Sequence, residues 1–218
     1  MEKQPLLIAT NNPGKLLEFE ALLGGLAARL VFPAALGLVM DVEETGLTYA
    51  ENARLKAEAL AHASGLLTLG DDSGLEVDAL QGRPGLHSAR YAGPGASDAD
   101  RRRKLMQELS QAPAPRPARF VCVVALAHPA RGTRAFEGVC EGEIILEERG
   151  TGGFGYDPLF FMPAYQATLA ELPEATKNRL SHRGRAVRAA RAYLEGLLLG
   201  MRNADDGRPL RATDDRLP

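Results

Sequence analysis

The residues able to do chemistry fall in four polar islands within an otherwise ordinary soluble pattern. The first is Thr10-Asn11-Asn12-Pro13-Gly14-Lys15, directly after the apolar run Leu6-Leu7-Ile8-Ala9. A small polar loop at a helix N-terminus offers free backbone N–H groups and the positive end of the macrodipole, which suits a phosphate chain. Lys15 adds a formal charge. The spacing is not that of a Walker loop, and a capped helix start beside a solvated lysine is the plainer alternative.

The second island is acidic, with Glu43-Glu44 in one segment and Asp71-Asp72 in another. Two adjacent acids at the end of a buried strand are costly unless they bind something. Mg²⁺ fits them, since it takes oxygen ligands and commonly one or two carboxylates plus phosphate oxygens. A turn at Asp72-Ser73-Gly74 with solvated glutamates is the competing reading. The third island, Gly150 to Pro158, has four glycines in six positions and carries Phe154 and Tyr156, which could stack on a flat base. The fourth is Lys177-Asn178 with Ser181-His182-Arg183. Its donors suit a phosphate or a base edge, although Ser181 as a plain N-cap and His182 as a surface histidine would also account for it.

The elements that must position these islands follow from periodicity. Leu6 to Thr10 reads as a buried strand, and Asn12 and Pro13 then open a helix that Gly24-Gly25 ends. Thr48 and Glu51 form a capping box with Leu47 available as a staple, so a helix is predicted through Ser64 with Gly65 as its stop. Leu66 to Leu69 should be a strand delivering Asp71-Asp72 at its end, with Leu75 to Leu80 a further short strand. Ser97-x-x-Asp100 opens a third helix to about Leu109, and the Pro-rich stretch 111–117 is the candidate boundary between lobes. Phe120–Ala127 and Thr133–Glu147 read as a hairpin, and Leu159–Phe161 as a short strand. A last helix starts near Arg183 and stops at Gly200. The expected fold is α/β: an elongated, mixed, twisted sheet flanked by helices, one domain over 1–200 with two lobes, the second about 118–148, and a central cleft between them. Residues 201–218 read as a polar, flexible tail.

Composition sets limits. The 218 residues are 45% hydrophobic and 25% charged, with a net charge of −2, which gives no global drive toward nucleic acid or anionic membrane. The basic run Arg101 to Lys104 reads as a solvated helix face. Cys122 and Cys140 lack metal or disulfide-scaffold spacing and read as buried thiols in a reduced, cytoplasmic protein. No apolar stretch approaches a membrane span. Motifs for serine hydrolases and zincins are absent, and no G-x-G-x-x-G opens a Rossmann unit.

Taken in order, TNNPGK at 10–15, EETGLTYAENARLKA at 43–57, DDSGLEVDAL at 71–80, GRPGLHSARYAG at 82–93, GTGGFGYDPLF at 150–160 and ATLAELPEATKNRLSHRGRA at 167–186 resemble the inosine triphosphate pyrophosphatase family, and DDSGL and SHR are closest to its bacterial branch. The resemblance implies that Thr10, Asn11, Asn12, Pro13, Gly14 and Lys15 hold the triphosphate. It further implies that Glu44 and Asp72 ligate Mg²⁺ and that Asp72 also accepts the proton of the attacking water. Ser73 would touch substrate and Lys56 would face the phosphates. Phe154, Gly155, Tyr156 and Asp157 would hold base and ribose, while Lys177, His182 and Arg183 would read the purine edge.

The implied reaction is hydrolysis of ITP, dITP or XTP to monophosphate and pyrophosphate by a homodimer that uses neither nucleic acid nor membrane. The rival readings are a Maf-type nucleotide pyrophosphatase and a non-catalytic purine-nucleotide sensor. DDSGL and SHR weigh against the first, and intact carboxylates at 44, 71 and 72 weigh against the second.

Overall fold

Leu6, Leu7 and Ile8 have no exposed surface, so the opening apolar run forms an interior strand, β1 (Gln4–Ala9). The computed structural model describes residues 3–39 and 42–205, with side chains described as far as Met201. Asn12 caps α1 (Pro13–Leu22) by accepting from the Lys15 N–H, with Pro13 in the first turn. β2 (Ala28–Val31) and α2 (Tyr49–Ser64) follow, then β3 (Thr68–Val77) and α3 (Asp98–Glu108). β4 (Pro117–His128) and β5 (Gly132–Ile144) form the expected hairpin. β6 (Phe160–Met162), β7 (Ala167–Thr168), α4 (Glu174–Leu180) and α5 (His182–Asp205) complete the chain.

The seven strands form one mixed sheet in the order β2-β1-β3-β4-β5-β6-β7. β1 runs parallel to both its neighbours, and the remaining pairs are antiparallel. Alternation along β4 divides the core. Cys122, Val124 and Leu126 join Ile8, Phe19, Val187 and Leu194 under α1 and α5, whereas Val123, Ala125 and Ala127 pack on Ala53, Ala57 and Ala61 of α2. A third cluster sets Leu105 of α3 and Leu109 just beyond it against Phe120, Cys140, Tyr156 and Phe160.

Three expectations change. The acids at 71 and 72 do not end a strand. β3 continues through them, with Asp71 opposite Val124 and Asp72 opposite Val123 in the ladder with β4. The strand tolerates them because the pleat sends each to a different face, where a different cation meets it. The capping box of α2 is shifted. Thr48 does accept from the Glu51 N–H, but the Glu51 carboxylate accepts from the Leu47 N–H at 2.6 Å, and Leu47 is 86% exposed and staples nothing. Finally, α5 passes Gly200 and reaches Asp205, so the expected tail overlaps this helix, and 206–218 lie outside the described residues. Both cysteines are buried and free, and no helix among the described residues is long and apolar enough to cross a membrane.

Close packing positions the last helix. A Cβ on Gly138 of β5 would lie 2.2 Å from the His182 carbonyl oxygen and 2.3 Å from the Ala186 nitrogen. Only glycine lets the start of α5 lie against the sheet, which is what brings His182 and Arg183 inward.

Candidate active site

A cleft of about 340 Å³ opens over the C-terminal end of β1 and the middle of β3. Its floor is Ala9, Thr10 and the N-terminal turn of α1 with Lys15 and Glu18. One wall is β3 with Asp71, Asp72 and Ser73, approached by Glu44 and Lys56. The other wall is Phe154 to Asp157 with His182 and Arg183. Asn11 and Asn12 also line the cleft, while Pro13 and Gly14 stand behind this lining. A Cβ on Gly14 would lie 2.5 Å from the Phe154 ring, so the aromatic loop rests directly on the turn that opens α1.

The pleat of β3 separates two charge systems. Asp72 faces α2: its Oδ2 accepts from Asn52 Nδ2 at 3.2 Å, and its Oδ1 lies 3.4 Å from Lys56 Nζ. Asn52 is itself fixed by accepting from the Gly46 N–H at 2.8 Å. Lys56 also pairs with Glu44 at 2.9 Å, so both carboxylates meet at one ammonium. Burial raises the Asp72 pKa against the opposing pull of Lys56, which makes Asp72 a stronger base than an exposed aspartate. This all-oxygen pair converging on a cation fits a hard divalent ion completed by phosphate oxygens. Among the described residues no group of three His, Cys, Asp or Glu side chains forms a metal cage by itself.

Asp71 faces α1 and α5. It pairs with Lys15 at 3.0 Å and with Arg183 Nη2 at 3.1 Å, and these cations hold its carboxyl well below the usual range despite complete burial. It therefore belongs to a different cluster from Asp72 rather than to one shared acidic site. Arg183 also donates from Nη2 to Ser73 Oγ at 3.0 Å and from Nη1 to Glu18. Glu18 in turn pairs with Lys177 at 2.7 Å, and Lys177 reaches Asp157 at 2.5 Å. Lys177 thus stands behind the cleft as a brace for Asp157. Asp157 also accepts from the Phe154 N–H at 2.9 Å, and burial raises its pKa.

Glu18 was not foreseen in the sequence. It has the appearance there of one more polar residue on a surface helix; the only signal is its place three residues after Lys15 and next to the buried Phe19. Burial raises its pKa, but Arg183 and Lys177 outweigh that and hold it at about 2. A depressed carboxyl stabilises the fold fully above its ordinary pKa, and that stabilisation is lost as pH falls through the folded value. Stability to urea should accordingly fall between about pH 4.5 and pH 2, the raised Asp72 and Asp157 working the other way and blunting the slope. Glu18→Gln should flatten this dependence while lowering stability near neutrality. Wild type and Glu18→Gln with parallel profiles would contradict it.

His182 is buried, stacked on Phe120 at 4.7 Å between ring centroids, and its buried Nδ1 has no partner among the described residues. Burial first, and then Arg183, lower its pKa to about 3, so it is neutral in ordinary buffers. Phe154 lies against the second of these networks, with Lys177 Nζ 5.1 Å from its ring centroid and the Arg183 guanidinium carbon 5.8 Å away. The basic run on α3 is not a solvated face. Arg101 donates to Ala89 O and Ala96 O, Arg102 to Gly155 O and Lys104 to Tyr91 O, leaving Arg103 as its exposed member.

The model of the Ham1 family matches residues 6–193, a span that contains every residue of this cleft. The chain belongs to the Ham1 family. Among Ham1-type relatives, a dITP/XTP pyrophosphatase of Halalkalibacterium halodurans is 48% identical over 194 residues, covering 87% of this chain and 98% of its own length. The dITP/XTP pyrophosphatase of Gloeobacter violaceus is 51% identical over 183 residues, covering 84% and 90%. The solved structure of the Staphylococcus aureus Ham1 protein superposes with a TM-score of 0.79 at 41% identity, covering 89% of this chain and all of that one. These matches agree with the expected mixed sheet flanked by helices.

Proposed function

We propose that the chain hydrolyses non-canonical purine nucleoside triphosphates (ITP, dITP and XTP) to the monophosphate and pyrophosphate. The observation that carries this is the joint placement, in one cleft, of the α1 N-terminus with Lys15, the Asp72–Glu44 pair around Lys56, and the Phe154 loop. The first supplies N–H donors for phosphates, the second a base beside a cation site, and the third a flat surface for a base. Relatives named dITP/XTP pyrophosphatases support the substrate class.

In this reading Thr10 to Lys15 hold the triphosphate, with Lys15 kept at the cleft floor by Asp71. Glu44 and Asp72 hold Mg²⁺, which when bound neutralises phosphate oxygens and acidifies water. Asp72, aimed by Asn52, accepts the proton of the water attacking the α-phosphorus. Lys56 and Lys15 offset charge on the departing pyrophosphate. Ser73, Tyr156 and Asp157 flank the sugar and base, with Gly155 between them.

Base choice follows from hydrogen-bond sense. Hypoxanthine and xanthine carry an acceptor at C6 where adenine carries an amino donor. Lys177 and Arg183 are engaged by Glu18, Asp157, Asp71 and Ser73 and brace this wall, so neutral His182 and backbone N–H groups are the donors proposed to meet the base edge. Donors left unpaired by adenine would reject it strongly. The proposal includes a cytoplasmic homodimer, the dimer carried from the family resemblance and the compartment from cysteine usage and composition. Its test is pyrophosphate release from ITP, dITP, XTP and the standard nucleotides, with Mg²⁺ or with chelator. Mg²⁺-dependent release confined largely to the first three supports it. Preference for a pyrimidine or standard nucleotide would point to a Maf-type activity, and tight ITP binding without turnover would leave a sensor.

A further inference from the structure

The start of α3 grips one residue of the aromatic loop, Gly155, by both of its backbone polar groups. Asp98 Oδ2 accepts from the Gly155 N–H at 2.7 Å, and Arg102 Nη1 donates to the Gly155 carbonyl at 2.9 Å. These contacts join residues 57 and 53 positions apart in the chain. Each gripping side chain is itself held. Asp98 Oδ1 pairs with Arg101, whose Nη1 is anchored on the Ala89 and Ala96 carbonyls at 2.6 and 2.9 Å. Arg102 Nε lies 3.0 Å from Glu148 at the other end of the same loop.

Helix formation does not account for this arrangement. α3 has its own cap, because Ser97 and Asp100 make a complete capping box. It is fixed to the core by Leu105 and Leu109, which have no exposed surface. Asp98 and Arg102 are therefore available to act outward on Gly155, whose neighbours are tied separately, the Phe154 N–H to Asp157 Oδ2 at 2.9 Å and the Asp157 N–H to the Phe154 carbonyl at 3.2 Å. Gly155 has φ +64°, a conformation other residues resist, and no neighbour within 4 Å of where a Cβ would be. Space does not hold this residue; the two hydrogen bonds do. Its neighbours are Phe154, whose ring lies over Gly14, and Tyr156, whose hydroxyl donates to the Ser88 carbonyl at 2.9 Å.

We propose that Asp98 and Arg102 are positioning residues for nucleotide binding: together they latch the backbone on both sides of Gly155, and so hold the Phe154 ring where a purine must stack. The inference rests on the proposed function for its kinetic readout, but the latch itself can be read without substrate. Neither residue touches the reacting phosphates, so their loss acts on binding and leaves the chemical step nearly intact.

The experiment compares wild type with Asp98→Ala, Arg102→Ala and the double variant, using Arg103→Ala as control because Arg103 is exposed and pairs with Asp100. Amide hydrogen exchange of the free protein across 150–157 is measured beside KM and kcat for dITP. Each single variant should loosen exchange in that segment and raise KM about tenfold, the size of one charge-assisted hydrogen bond, with kcat changed less than about threefold. The double variant should fall short of the product of the singles, since both act on one residue. Arg102→Lys and Asp98→Asn, which keep a donor and an acceptor, should recover part of the KM. Unchanged exchange in 150–157 overturns the latch. So does faster exchange spread across the whole α3 core, which would make the residues merely structural, or loosened exchange with an unaltered KM. If wild type releases no pyrophosphate from dITP, the functional reading fails while the exchange data still decide whether the latch exists.

Discussion

Asp72→Asn should lower kcat for dITP hydrolysis by about 10²–10⁴, the range for losing a positioned general base. The substitution is nearly isosteric and keeps an oxygen to accept from Asn52 Nδ2. It removes one of two carboxylates on Lys56, which retains Glu44 at 2.9 Å. The fold should therefore survive, with its melting temperature close to wild type, and the loss should be one of turnover. Raising the pH should not rescue the variant, since an amide cannot recover a proton-accepting oxygen of comparable basicity. Steady-state kinetics beside a thermal melt decide the matter: activity within about threefold of wild type would remove Asp72 from the chemistry.

The second large effect is on stability. Arg183 has 1% of its side chain exposed and faces Glu18 and Asp71, which are almost as buried. Taking one partner from a buried ion network leaves charges with neither water nor counter-ion. Such losses run at about 3–5 kcal/mol. For Arg183→Leu that corresponds to a fall in melting temperature on the order of 10 °C for a domain of this size. Glu18→Gln in the same chain should restore part of the loss, because one of the stranded charges is then gone. Urea titrations of the single and double variants would measure it. A loss below about 1 kcal/mol for Arg183→Leu would show that the network is far better hydrated than its burial indicates.

The network also explains which features could be read from the chain. Runs such as Leu6 to Ala9, and the caps at Asn12, Thr48 and Ser97, announce their elements because the deciding interactions lie within a few residues. β2 has four residues and β7 two, so neither is long enough for an alternating pattern to show. α4 spans one short polar stretch, held by contacts that its own residues do not signal.

The site was legible as four islands, but their wiring was not. Two adjacent acids look like the end of a strand because a buried charge is expensive. The pleat resolves this by giving Asp71 to Lys15 and Arg183 and Asp72 to Lys56, cations supplied by three different helices. Glu18 meets a guanidinium 165 residues away, a pairing no local pattern encodes. The run at Arg101 to Lys104 looks solvated for the same reason: the carbonyls it caps belong to loops whose paths only the folded chain defines.

The central claim is that water attacks the α-phosphorus of a non-canonical purine triphosphate held in this cleft. Turnover of dITP in heavy-oxygen water, followed by mass analysis of both products, tests it most directly. The account predicts that one labelled oxygen appears in the monophosphate and none in the pyrophosphate. Label in the pyrophosphate, or release of orthophosphate in place of pyrophosphate, would contradict it.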